Sequence, residues 1–62
     1  MQFYLVETLD ETKPFEVYGD DKHLGYVVTD LDGWYDLEFF NFVSSKEDKE
    51  CRDWYTNLKD KG

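Results

Sequence analysis

Apolar and polar positions alternate most regularly between Leu24 and Val43. Leu24, Tyr26 and Val28 alternate with Gly25, Val27 and Thr29. Beyond Asp30-Leu31-Asp32-Gly33, Tyr35, Leu37 and Phe39 alternate with Trp34, Asp36 and Glu38. A period of two sends successive side chains to opposite faces of a strand. Asp and Gly between the runs supply turn chemistry, because Asp can bond its own backbone and Gly accepts a left-handed φ. The stretch predicts a hairpin with strands at about 24–29 and 34–43, and a bulge near Phe40 that turns Phe40 and Phe42 inward.

Two shorter runs precede it. Residues 2–7 read as a strand with Phe3 and Leu5 on one face and Tyr4 and Val6 on the other, and residues 14–18 as a strand with Phe15 and Val17 inward. Pro14 has no N–H to give a ladder, so it suits a strand start or an edge. Short connections between successive strands favour an antiparallel meander.

From Ser44 the period changes. Ser44 with Glu47 is a capping box, and Ser45 with Asp48 offers the same arrangement one residue on. Cys51, Trp54, Tyr55 and Leu58 then recur at helical spacing as one apolar stripe of a helix at about 45–60. Asp48 with Arg52 and Lys49 with Asp53 are placed to pair on its charged side. The predicted fold is therefore α+β: a four-stranded antiparallel β-meander with one C-terminal amphipathic helix packed on one face. Its predicted core is Phe3, Leu5, Phe15, Val17, Leu24, Tyr26, Val28, Tyr35, Leu37, Phe39, Cys51, Trp54, Tyr55 and Leu58.

With 62 residues the chain makes one small domain, near the lower limit for folding without staples. Five Phe, five Tyr and two Trp suit that limit, since each ring buries about 150–250 Å². The lone Cys51 excludes an intrachain disulfide and a CxxC metal motif. The run MQFYLVETLDE lacks the basic start of a signal peptide, and no stretch has the roughly 20 apolar residues of a membrane span. A soluble protein of the reducing cytoplasm is expected.

Charge changes the picture more than composition does. The net charge is −8, and residues 1–43 hold ten acids against Lys13 and Lys22, whereas residues 44–62 balance five acids with five bases. The excess lies wholly on the predicted sheet. It disfavours nucleic acid and anionic membranes as direct ligands and favours a basic protein partner.

The face left uncovered by the helix is predicted to show Tyr4, Glu16, Tyr18, Thr29, Trp34, Asp36 and Glu38, with Asp20, Asp21, Asp30 and Asp32 extending the negative field in the loops. Residues two apart on a strand are about 6.7 Å apart, close to the spacing of successive phosphates. Glu16, Tyr18, Asp20, Asp21, Asp30, Asp32, Trp34, Asp36 and Glu38 are accordingly the expected partner-binding residues of a non-enzymatic nucleic-acid mimic. Such a protein occupies the basic groove of a DNA- or RNA-handling protein, a strategy of phages and mobile elements. Trp34 and Tyr18 would be its apolar anchors. The plainer alternative is a solvated face that keeps a small domain soluble. A different class of role is assembly, through a homodimer or docking into a larger complex by the sheet face or edge.

Other chemistry has little support in the chain. Asp30-Leu31-Asp32-Gly33 with Asp36 and Glu38 lacks the spacing and flanking helices of a calcium loop. His23 reads as a solvated turn residue, Cys51 as a small buried hydrophobe, and Ser44 and Ser45 as caps. Paired carboxylates need a desolvating cleft to act as acid and base, and Gly25 and Gly33 form no phosphate cradle. No catalytic residue, metal or cofactor is expected.

Overall fold

The computed structural model describes residues 2–61. Strands β1 (Phe3–Glu7), β2 (Phe15–Gly19), β3 (Lys22–Thr29) and β4 (Tyr35–Phe39) form one antiparallel sheet in the order β1-β2-β3-β4, followed by helix α1 (Ser45–Lys61). The fold is the α+β meander that the hydrophobic pattern implies.

Each turn follows from its residues. Asp20 and Asp21 join β2 to β3 with φ of 51° and 67°, the left-handed pair that a two-residue hairpin needs. Asp tolerates that conformation better than most residues. The Asp20 carboxylate accepts the Gln2 N–H at 2.9 Å, which ties the turn to the start of β1. Between β3 and β4, Gly33 takes φ of 82°, and the Asp30 carboxylate accepts the N–H groups of Asp32 and Trp34, each at 2.9 Å. The helix starts as the sequence implies: the Ser44 hydroxyl accepts the Glu47 N–H at 3.2 Å and the Glu47 carboxylate accepts the Ser44 N–H at 3.3 Å. Of the two expected pairs on its charged side, Asp48 with Arg52 closes, at 2.6 Å.

The buried centre is smaller than expected. Val17, Val27, Leu37 and Cys51 form it, with Phe3, Leu5, Phe15, Phe39, Trp54 and Tyr55 packed half-buried around them. Leu24 is also fully buried, outside that cluster. Gly25 lets β3 approach β4 closely, because a Cβ there would overlap the Glu38 carbonyl oxygen and lie 2.8 Å from the Phe39 Cα.

Several expectations need correction. The register slips between Val17 and Tyr18, where Tyr18 faces His23 but Val17 faces Gly25. Leu24 is the extra residue of this bulge, so the alternation it starts is not that of the rest of β3. Val27 therefore enters the core in place of Tyr26 and Val28, which share the opposite face with Glu16, Glu38 and Asp36. Thr29 aligns with Tyr35 and so belongs to the helix side. β4 stops at Phe39 rather than residue 43, because Phe40–Val43 closes a turn through the Val43 N–H and Phe40 C=O. Tyr35 and Leu58, expected inside, are exposed at 51% and 44%; Tyr35 lines the open groove between β4 and α1 instead of being closed under the helix.

Candidate aromatic and acidic face

The face opposite α1 is built in rows across the strands. Tyr4, Tyr18 and His23 make one row, and Val6, Glu16, Tyr26 and Glu38 make the next. In the first row Tyr4 and Tyr18 stack at 5.1 Å and Tyr18 and His23 at 4.9 Å between ring centres. His23 meets the edges of Tyr26 and Phe40 at 5.0 and 4.9 Å, and Phe40 continues to Phe42 at 5.7 Å. Six rings thus form one continuous layer over the uncovered face.

His23 is the hub of this layer, not the solvated turn residue its position implies. Its Nε2 lies 2.9 Å from the Gly25 carbonyl oxygen. A carbonyl only accepts, so Nε2 carries the hydrogen. The Glu16 carboxylate stands 3.7 Å from the same nitrogen. The missed signal is the bulge: with Leu24 as an extra residue, His23 and Tyr26 reach the same face although they are three positions apart.

Lysine ammonium groups already sit over these rings. Lys13 Nζ is 4.9 Å from the centre of Tyr26, and Lys22 Nζ is 4.6 Å from that of Phe42. Ring faces attract cations through their quadrupole. Two ring faces of this surface thus hold cations of the chain itself, with Glu16 and Glu38 on either side of Tyr26 in the register.

The nine expected site residues do not gather in one place. Glu16, Tyr18, Asp36 and Glu38 share the open face, with Asp20 and Asp21 at one end of β3 and Asp30, Asp32 and Trp34 at the other. The eight residues of β3 set those ends roughly 23 Å apart. Trp34 is 70% exposed and belongs to the loop before β4. The Tyr4 hydroxyl donates to Asp21 at 2.9 Å, and that bond holds the phenol above its ordinary range. Asp36 is turned to the sheet edge: its carboxylate accepts the Leu37 N–H at 2.8 Å and meets Arg52 at 3.6 Å. Asp36 and Glu38 consequently do not form a free pair at phosphate spacing. Among the described residues, Glu38 and Asp32 have no side-chain hydrogen bond or ion pair of their own.

A shallow groove of about 260 Å³ lies between β4 and α1, lined by Tyr35, Leu37, Arg52, Tyr55 and Lys59 among others. No group of three or more His, Cys, Asp or Glu among the described residues is arranged to hold a metal ion. Cys51 is fully buried, and burial pushes its thiol up to about 11. No helix among the described residues is long and apolar enough to cross a membrane. Comparison of the chain with protein-family models, curated proteins and solved structures gives no match.

Proposed function

We propose that the chain is a non-enzymatic acidic binding protein whose open face receives a basic protein surface, in the manner of a nucleic-acid mimic that occupies the groove of a DNA- or RNA-handling protein. The observation that carries this reading is the pairing of ring faces that already hold two lysine ammonium groups with carboxylates in the same rows and at both ends of β3. A partner's arginine or lysine finds the same two features there: a ring to lie on and an acid beside it. Tyr18, Tyr26 and Phe40 supply apolar area, while Glu16, Glu38 and Asp32 orient the encounter. Asp20, Asp21, Asp30 and Asp36 contribute field, their carboxylates being engaged in turns or at the β4 edge, and Trp34 extends the surface at the loop end. The single buried thiol suits a reducing, cytoplasmic setting.

The test is capture from lysate at low and high salt, with nucleic acid as competitor. A nucleic-acid-handling protein held at low salt, released as salt screens the contact, displaced by DNA or RNA, and lost with Glu38→Lys plus Asp32→Lys is the expected result. Both substitutions lie at exposed positions and leave the aromatic layer intact. A partner indifferent to salt and to charge reversal would overturn the reading.

A further inference from the structure

The two edges of the sheet are not equally open. Asp20 N–H donates to Gln2 C=O and Thr8 N–H to Pro14 C=O, and these bonds bracket β1. Paired and unpaired residues alternate along an antiparallel ladder, so the main-chain groups of Tyr4 and Val6 face β2. Those of Phe3, Leu5 and Glu7 face outward. At the other edge the bonds from Phe40 N–H to Leu24 C=O and from Asp30 N–H to Trp34 C=O likewise leave Tyr35, Leu37 and Phe39 outward.

There the resemblance ends. On β4, Asp36 takes the Leu37 N–H at 2.8 Å and Arg52 Nη2 approaches the Leu37 carbonyl oxygen at 3.5 Å. Both main-chain groups that a neighbouring strand would use at the centre of this edge are occupied, and two charges stand over them. Such devices keep edges from pairing. β1 has none of them. Its register with β2 runs without a slip, and Glu7 is its one charged residue.

We propose that this bare edge pairs with the same edge of a second copy of the chain, antiparallel about a two-fold axis at Leu5, joining two sheets into one. The occupant follows from the strand's self-complementarity. With Leu5 opposite its own counterpart, Phe3 lies opposite Glu7, so the only charge on each strand meets a ring rather than its like. On the open face Tyr4 lies opposite Val6, 39% and 40% exposed in the single chain. They meet at the closer, non-hydrogen-bonded kind of pair, and aromatic with β-branched residues is a favourable match. Two copies each at −8 repel at a distance, so the pairing strengthens as salt rises. A basic extended peptide on the same edge would weaken instead. Pairing at β1 leaves Glu38 and Asp32, on the far side of the sheet, uncovered for another partner.

Sedimentation equilibrium of the full chain at low and high salt, with amide hydrogen exchange by NMR, tests this. A dimer favoured by salt, with the Phe3, Leu5 and Glu7 amides protected only as it forms, is expected. A chemically synthesised chain with a backbone N-methyl at Leu5 keeps every side chain and every bond within the sheet. It should dimerise about tenfold more weakly or worse, because two symmetry-related hydrogen bonds are lost. Glu7→Pro removes another outward N–H at an exposed strand end and should act in the same direction, its fold checked by circular dichroism. A chain that stays monomeric in high salt at its solubility limit overturns the proposal. So does a dimer that both variants leave intact, or one that weakens as salt rises.

Discussion

The covered and uncovered faces of this sheet solve the same problem with different residues. Beneath the helix the buried centre is small and mostly aliphatic: Val17, Val27 and Leu37, with Cys51 pressed on them from α1. On the open side six rings shelter one another, and none is fully buried. The first is a core in the ordinary sense, closed to water. The second is a layer of mutual contacts whose outer surface remains available. A domain of 62 residues has too little helix to cover both faces, and aromatic rings are the side chains that gain most from contact with each other while still wet.

The sharpest break in this comparison comes from Gly25, the point where β3 lies closest to β4. An added Cβ meets main chain, Glu38 C=O and Phe39 Cα, and a strand backbone cannot rotate aside as a side chain can. Gly25→Ala should therefore cost about 3 kcal/mol, read as a shift of the urea midpoint, and disturb both faces together. A variant of unchanged stability would show that the two strands separate there without penalty.

Those same residues mark how far the sequence could be read. Phe15, Val17, Leu37 and Cys51 declare their side by simple alternation or helical spacing, and Ser44 with Glu47 declares the helix start, because each signal is local. The phase of β3 is not local. It depends on a bulge set by how Val17 and Tyr18 meet His23 and Gly25, and periodicity alone carried Tyr26 and Val28 to the wrong side. The expected acids of the open face were legible for the same reason the strands were. The aromatic hub at His23 was not, since it arises where the slipped register and the end of β4 at Phe39 bring distant rings together.

Next in size is the alkaline limb of stability, which belongs to the covered face. Burial raises the Cys51 thiol from 9.0 to about 11 and moves the Tyr55 hydroxyl upward as well. Between those values the folded thiol keeps a proton that the unfolded one has lost. The native state binds more protons there, so the stabilisation is intact below about 9 and falls as pH rises toward about 11. Cys51→Ala should flatten part of this fall in urea titrations across the interval, and the native thiol should resist alkylation at neutral pH. A rapid native-state reaction would show that the helix does not seal this face.

On the open face, His23→Ala removes contacts with Tyr18, Tyr26 and Phe40 together with the bond to Gly25 C=O. A cost of about 1–2 kcal/mol is expected, with loss of near-ultraviolet circular dichroism from the tyrosines and little change in helix content. Collapse of the helix signal at the same time would mean that the two faces form one cooperative core and not two.

The smallest effect is the most telling for function. Lys13 and Lys22 lie over Tyr26 and Phe42, and both are exposed, so each contact adds only about 0.5–1 kcal/mol. Lys13→Ala plus Lys22→Ala should lower stability by about 1 kcal/mol, the low end for two such exposed contacts together, yet it strips the ring faces of their own cations and makes the chain more negative. If those faces exist to receive a partner's basic side chains, the doubly substituted protein should bind a basic partner more tightly than the native one, with a steeper loss of affinity as salt rises. If binding weakens, the two lysines are themselves contacts, and the rings beneath them are packing for lysine stems rather than a receiving surface.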